Sequence, residues 1–218
     1  MSDGWESAIR VAVIDDHELV AEAVERAILS HPLIRFVGRA ATAAAGFLLV
    51  QAALPDVVVM DLRLPDGSGA DATRAIKAAF PTVEIVMLTG YADGAALASA
   101  LEAGCAGFVS KGGRFDELLA TIEAVHGGQV RVPQDLLEGL VTHLRPRSAE
   151  VGHDLTARET EVLQLLARGL STDEMMAHLI VSIHTVRNHV RNLLTKLHAS
   201  SRLEAVAVAT RAGLIERA

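Results

Sequence analysis

The first 125 residues alternate between short apolar runs and alanine-rich helical stretches, and this alternation constrains the fold more than any other feature of the chain. The runs are rich in β-branched residues, and glycine, proline or aspartate bounds the helical stretches. Strands that alternate with helices predict a parallel sheet covered by helices on both faces. We therefore expect one doubly wound α/β domain with a ligand site beyond the carboxyl ends of its strands. The five predicted strands are residues 9–14, 34–40, 56–60, 83–88 and 105–110.

Polar side chains stand where these runs end. The residues concerned are Asp15, Asp16, Asp61, Thr89 and Lys111. Because the carboxyl ends of parallel strands share one rim of the sheet, we expect these side chains to converge there. Neighbouring carboxylates repel each other unless a cation compensates them, and hard oxygen ligands suit Mg²⁺. The set predicts a magnesium site, although a pair of aspartates after a strand is, taken alone, more often a helix N-cap.

A carboxylate beside a metal, with an ammonium and a hydroxyl nearby, is an arrangement for phosphoryl transfer. The metal and Lys111 would neutralise charge on the phosphoryl oxygens, and Thr89 would donate to one of them. Asp61 would be the nucleophile that forms an acyl phosphate. The sequence has no GxxxxGK[ST] phosphate loop, which argues against ATP as the direct donor. The phosphate would come from another protein or from a small phosphodonor.

From residue 154 onward the sequence predicts a small all-helical domain. Residues 156–159, 171–174 and 201–204 each match the capping box, and Ser182 would cap a further helix. The short link before Ser182 has the spacing of a helix-turn-helix.

The third of these helices has an apolar stripe and a polar face. On the polar face, arginine can read guanine and asparagine can read adenine in the major groove of DNA. The predicted base contacts are Arg187, Asn188 and Arg191. The predicted phosphate contacts, which position a protein on DNA without reading sequence, are His184, Thr185 and Lys196.

Charge and hydropathy favour two separate tasks in one cytoplasmic chain. Residues 1–130 carry 9 basic and 17 acidic side chains, whereas residues 153–218 carry 8 and 7. This asymmetry indicates cation binding in the first part and polyanion binding in the second. No apolar run reaches the roughly 18 residues of a membrane span, and the N-terminus lacks the basic and apolar segments of a signal peptide. We expect no membrane association.

Four segments, VIDDHELV, PDVVVMDLRLPDGSG, VMLTG and AGFVSK, resemble the receiver domain of two-component response regulators over about residues 9–126. The resemblance implies a flavodoxin-like fold, a sensor histidine kinase as partner, and Asp61 as phosphoacceptor. The Mg²⁺ site that it implies consists of Asp16, Asp61, the backbone carbonyl of Arg63 and, through water, Asp15. It also implies Lys111 as the phosphate-binding lysine and a switch made of Thr89 and Phe108.

Residues 155–215 are similar to the LuxR-type helix-turn-helix, so the chain is identified as a member of the NarL/FixJ family of response regulators. This similarity implies a homodimer in the active state, bound to double-stranded DNA and joined partly through the last helix. The predicted organisation is a tail at 1–8, a receiver at 9–126, a linker with a short helix at 127–153, and the DNA-binding domain at 154–218.

The function that follows is a transcriptional regulator switched by Mg²⁺-dependent phosphorylation, which catalyses only its own phosphoryl transfer and dephosphorylation. An aspartyl-phosphate phosphatase would need a second acid two residues after its nucleophile, where this chain has Arg63. A regulator with the same DNA-binding domain, but controlled by a partner or ligand at the receiver, stays open as the alternative. We also hypothesise that the unphosphorylated receiver covers the recognition helix, which is the third helix of the DNA-binding domain.

Overall fold

The structure is a computed structural model that describes residues 8–90, 94–132, 152 and 154–215. Most of the predicted linker, with its short helix, and nearly all of the predicted tail lie outside these residues. Within the described part, none of the helices is both long enough and apolar enough to cross a membrane.

The N-terminal part contains the predicted five-stranded parallel sheet. A two-stranded antiparallel hairpin follows the third strand of the chain. The last strand of the sheet begins at residue 107, two residues later than predicted. Cys105 and Ala106 are buried, but they are not in strand conformation. The strands are β1 (Ile9–Ile14), β2 (Ile34–Ala40), β3 (Val57–Asp61), β4 (Arg63–Leu64), β5 (Gly67–Ser68), β6 (Glu84–Thr89) and β7 (Gly107–Ser110). Their order in the five-stranded sheet is β2-β1-β3-β6-β7.

Helices cover both faces of this sheet, and each face has its own hydrophobic core. In β3, Val58 and Met60 belong to one core, whereas Val57 and Val59 belong to the other. A strand buried on both sides explains why its sequence is continuously apolar instead of alternating. The helices are α1 (Glu18–Leu29), α2 (Ala43–Ala53), α3 (Gly69–Ala79), α4 (Gly94–Glu102) and α5 (Phe115–His126).

The C-terminal part is the predicted helical domain, with a third hydrophobic core of its own. Thr156 and Ser171 each form a complete capping box, and Ser182 caps the third helix as expected. The third predicted box differs: Ser201 accepts from the Glu204 N–H, but the Glu204 carboxylate accepts from Ser200, one residue early. The helices are α6 (Ala157–Ala167), α7 (Thr172–Leu179), α8 (Ile183–Lys196) and α9 (Arg202–Arg211).

Candidate functional site

An acidic pocket forms at the rim of the sheet where β1 and β3 end. Asp15 and Asp61 are buried, whereas Asp16 is exposed. Side-chain ligand atoms of these three residues and of His17 all lie within 4.8 Å of one another. The rim thus brings together the three carboxylates that the sequence predicts for a cation site.

Local backbone geometry fixes the two buried carboxylates. The Asp15 N–H donates to the Ala40 carbonyl of β2 at 3.0 Å, which ties the end of β1 to its neighbour. Asp61 stands opposite Leu88 of β6. Behind Asp61, a Cβ at Gly69 would lie 2.1 Å from the Asp61 carbonyl oxygen, so the start of α3 approaches β3 as only glycine permits.

Lys111 places its ammonium between the two buried carboxylates. Its Nζ lies 2.7 Å from Asp61 Oδ2 and 2.8 Å from Asp15 Oδ2. The Lys111 N–H donates to the Thr89 carbonyl at 2.7 Å, which holds the β7 end of the rim in place. Burial lowers the pKa of Lys111, but hydrogen bonds and charges from Asp15 and Asp61 outweigh burial and raise the pKa above its ordinary value. The side chain is therefore a fixed positive charge at neutral pH.

His17 is the residue of this pocket that sequence reasoning missed. Its Nδ1 lies 2.8 Å from Asp16 Oδ1, 3.1 Å from Asp15 Oδ1 and 3.6 Å from Asp61 Oδ2. Its N–H also donates to Asp15 Oδ1 at 2.8 Å. The available signal was its position directly after the aspartate pair, on the same rim. The imidazole is largely exposed, so it forms the outer wall of the pocket.

The donor set fits a small hard cation. Asp15 Oδ2 is buried and accepts no well-directed hydrogen bond, although the Lys111 ammonium is close to it. A carboxylate oxygen in that state has lone pairs available for a metal ion. The Arg63 N–H donates to Asp61 Oδ1 at 3.3 Å, which brings the backbone of Arg63 to the edge of the pocket. Carboxylate and carbonyl oxygens with space for water are what Mg²⁺ prefers.

The two predicted switch residues are both buried. Thr89 ends β6 and is 4% exposed, and Phe108, in β7, is 1% exposed and belongs to a core of the sheet. Gly90 leaves space beside the pocket, because a Cβ there would meet Lys111 Cδ only at 4.0 Å.

The polar face of α8 carries the predicted DNA contacts. Arg187, Asn188, Arg191 and His184 are exposed, and Thr185 is half-buried. The apolar side of the helix packs into the domain core through residues that include Val186, Val190 and Leu193. The predicted base-reading side chains are therefore on the solvent side of the helix.

Lys196 has protein partners that its predicted role does not require. Its ammonium contacts the buried Glu159 carboxylate at 2.8 Å and donates to the Asp154 carbonyl at 2.8 Å. Burial raises the pKa of Glu159, but Lys196 and Thr156 outweigh burial and lower it below its ordinary value. Lys196 thus holds the start of α6 against the end of α8.

Comparison with known families divides the chain in the same places as the fold. Residues 11–123 match the family described as "Response regulator receiver domain". Residues 153–209 match the family described as "Bacterial regulatory proteins, luxR family".

Individual proteins and structures resemble the chain over most of its length. A protein of Mycobacterium tuberculosis, "Probable transcriptional regulatory protein NarL", is 36% identical over 217 residues, covering 99% of this chain and 100% of the relative. The crystal structure of "Response Regulator ChrA in Heme-Sensing Two Component System" is 30% identical with a TM-score of 0.54, covering 96% of this chain and 100% of that one. A LuxR-family response regulator from Aurantimonas sp. SI85-9A1 is 34% identical with a TM-score of 0.59, covering 62% of this chain and 97% of that one.

Proposed function

The chain belongs to the response regulators that join a receiver to a LuxR-type DNA-binding domain, and on that premise we propose that Mg²⁺-dependent phosphorylation of Asp61 switches its binding to DNA. The observation that carries this proposal is the pocket in which the buried carboxylates of Asp15 and Asp61 each lie within 2.8 Å of the Lys111 ammonium. The phosphoryl donor would be a sensor histidine kinase, and the chain would act in the cytoplasm.

Each residue of the pocket has a distinct task in this proposal. Asp61 accepts the phosphoryl group, and Lys111 moves from the carboxylates to the phosphoryl oxygens, where its charge is needed. Asp16, Asp61 and the Arg63 carbonyl would hold Mg²⁺, with Asp15 acting through water. When bound, the ion would neutralise negative charge on the carboxylates and on the transferred group.

The proposed switch begins from a buried aromatic ring. The Thr89 hydroxyl would donate a hydrogen bond to a phosphoryl oxygen, and the movement of the end of its strand would be transmitted to Phe108. Because the Phe108 ring is already buried, with 1% of the residue exposed, the switch would not have to bring it in from solvent. Phosphorylation would act by favouring one of two existing states, so a small active population is expected without it.

The active state proposed for the chain is a homodimer on double-stranded DNA. Arg187, Asn188 and Arg191 would contact base edges, and His184 and Thr185 would contact phosphates. We place Lys196 outside this surface, because its ammonium is engaged by Glu159. The proposed division of the chain is a tail at 1–8, a receiver at 9–126, a linker at 127–153 and the DNA-binding domain at 154–218.

The test compares the wild type with Asp61→Asn, each with Mg²⁺ and a small phosphodonor such as acetyl phosphate. Sedimentation velocity gives the oligomeric state, and fluorescence anisotropy with a mixed-sequence duplex gives DNA affinity. We expect the phosphodonor to dimerise the wild type and to tighten its DNA binding, with no effect on the variant. If both proteins bind DNA equally with and without phosphodonor, the receiver is controlled by a partner or ligand instead of phosphate.

A further inference from the structure

Of the four side chains whose ligand atoms meet in the acidic pocket, His17 alone offers nitrogen instead of oxygen. Asp15, Asp16 and Asp61 are carboxylates, which are hard ligands and suit Mg²⁺. An imidazole nitrogen is a softer ligand that suits divalent ions of the first transition row. The mixed donor set therefore bears on which metal ion the pocket binds most tightly.

The Nδ1 atom of His17 faces all three carboxylates at once. It lies 2.8 Å from Asp16 Oδ1, 3.1 Å from Asp15 Oδ1 and 3.6 Å from Asp61 Oδ2. Two ligands of one small divalent ion, each held at about 2.1 Å, stand at most about 4.2 Å apart. All three distances are within that limit, so the imidazole nitrogen and the carboxylates can share one ion.

Ordinary structural roles do not explain the orientation of the imidazole. His17 occupies the N-cap position of α1, but its side chain makes no capping hydrogen bond. The side chain is 62% exposed, so it is not part of a hydrophobic core. Its contact with Asp16, whose side chain is 36% exposed, is a surface ion pair, and such pairs contribute little to stability. Capping, core packing and ion pairing thus leave the position of Nδ1 unexplained.

Two further features of the pocket point to a bound divalent ion. Asp15 Oδ2 is buried and accepts no well-directed hydrogen bond, so it has lone pairs available for a metal. The Lys111 ammonium lies 2.8 Å from that oxygen, but it also serves Asp61 at 2.7 Å. Three carboxylates and one ammonium leave a formal charge of −2. A divalent ion with a neutral imidazole as ligand balances that charge.

We propose that His17 is a metal ligand that makes the pocket bind divalent transition-metal ions, such as Mn²⁺ and Co²⁺, more tightly than Mg²⁺. The neutral imidazole, with its proton on Nε2, would offer the Nδ1 lone pair to the ion. The consequence for phosphorylation rests on the proposed function, in which the same pocket supplies the cation for Asp61. Either kind of ion would support that step, but a transition-metal ion would do so at a lower concentration.

A nitrogen ligand imposes an order among the ions, and this order distinguishes a ligand from a positioning residue. At sites with nitrogen and oxygen ligands, affinity rises from Mn²⁺ to Co²⁺. Mg²⁺ instead prefers oxygen ligands and keeps several waters. If His17 is a ligand, its removal weakens Co²⁺ binding most, Mn²⁺ binding less and Mg²⁺ binding least. If the imidazole only orients Asp16, its removal weakens the binding of all three ions alike.

His17→Asn tests the proposal, because it removes the imidazole nitrogen and keeps a short side chain whose amide can donate a hydrogen bond to Asp16. His126→Asn is the matched control. His126 is an exposed histidine at the last position of α5, and the same substitution there leaves the pocket unchanged. Both variants are compared with the wild type as full chains, after removal of bound metal, at one neutral pH and without phosphodonor.

Isothermal titration calorimetry with Mg²⁺, Mn²⁺ and Co²⁺ measures the affinity of each protein for each ion. Loss of a group that only supports a ligand already costs about 10–100-fold in metal affinity, so loss of His17 should weaken Co²⁺ binding at least about tenfold. Mn²⁺ binding should weaken less, and Mg²⁺ binding should stay unchanged, which also shows that the variant keeps its pocket. His126→Asn should match the wild type with every ion.

Electron–nuclear double resonance of bound Mn²⁺ tests the bond itself. The protein is prepared with ¹⁵N in its histidines alone, so a ¹⁵N coupling to the ion identifies an imidazole ligand. We expect the coupling in the wild type and in His126→Asn, and we expect it to be absent in His17→Asn.

Three results would overturn the proposal. A wild type without histidine ¹⁵N coupling would show that the imidazole does not bind the ion. Equal losses of Co²⁺ and Mg²⁺ affinity in His17→Asn would make His17 a positioning residue for Asp16. Unchanged affinities for all three ions in that variant would show that the imidazole only lines the pocket. A wild type that binds Co²⁺ through His17, but takes no phosphoryl group at Asp61 with any of these ions, would reject phosphorylation and leave the ligand assignment standing.

Discussion

Replacing Lys111 by methionine should destabilise the receiver in a way that Mg²⁺ reverses. The substitution keeps most of the aliphatic side chain and removes the ammonium that lies 2.7 Å from Asp61 and 2.8 Å from Asp15. Both carboxylates are buried, so their mutual repulsion would lose its compensating charge.

The structure sets the size of this effect. Removing one partner of a buried ion pair costs about 3–5 kcal/mol, and Lys111 donates a hydrogen bond to Asp61 Oδ2 and makes a close ionic contact with Asp15 Oδ2. Its side chain is 15% exposed, so solvent screens part of the interaction and the lower end of the range applies. We expect the free energy of receiver unfolding to fall by about 3 kcal/mol, which corresponds to roughly a hundredfold faster exchange of the most protected amides.

Hydrogen exchange of the β3 segment, Val57–Asp61, is the assay, because it follows unfolding of the receiver alone in a two-domain chain. Saturating Mg²⁺ should restore protection in Lys111→Met far more than it raises protection in the wild type. The matched control is Lys77→Met, since Lys77 is also 15% exposed but pairs with Glu84 at 3.0 Å, away from the pocket. Mg²⁺ should not rescue that variant. Equal responses of both variants to Mg²⁺ would refute the reasoning.

Three further predictions concern the DNA-binding domain. Glu159→Gln should lower the stability of this domain by about 1–3 kcal/mol. Because the pKa of Glu159 is lowered in the folded state, the stabilisation in the wild type is present above the ordinary carboxyl pKa of about 4.3 and disappears as the pH falls through the lowered value. Thermal unfolding followed by circular dichroism across pH 3–7 would measure this dependence. Ile180→Gly should raise stability by about 0.5–1 kcal/mol, because Ile180 is 90% exposed at φ +53°, a conformation that strains a β-branched residue; an unchanged melting temperature would contradict this. Arg187→Ala should weaken binding to the preferred DNA sequence by about 1–3 kcal/mol and relax base preference, as sequence selection from a random duplex pool would measure; equal losses on every sequence would remove Arg187 from the base contacts.

The sheet and its acidic rim were predictable because parallel strands impose a shared geometry on distant residues. Once the apolar runs are taken as parallel strands, Asp15, Asp61 and Lys111 must meet at one edge, although Lys111 is 50 residues from Asp61. The capping boxes at Thr156 and Ser171 were predictable for the opposite reason, since four consecutive residues determine them.

What the sequence did not predict depends on contacts that no local pattern encodes. The partner of Lys196 is Glu159, 37 residues away on another helix, so the lysine resembled a free cation near a DNA-binding surface. At Glu204, a shift of one residue moved the carboxylate from its expected acceptor position to the Ser200 N–H. The contact of α9 with the segment that follows α5 joins residues 74 apart, as in the bond from Arg202 to Gly128.

The acidic pocket should promote phosphorylation of Asp61 with the help of a divalent cation. The most direct measurement is intact-protein and peptide mass spectrometry after incubation with a small phosphodonor, with and without Mg²⁺, for the wild type and Asp61→Asn. We predict the Mg²⁺-dependent addition of one phosphoryl group at Asp61 of the wild type, and no addition to the variant. A phosphoryl group on another residue, or addition to the wild type that is independent of Mg²⁺, would contradict it.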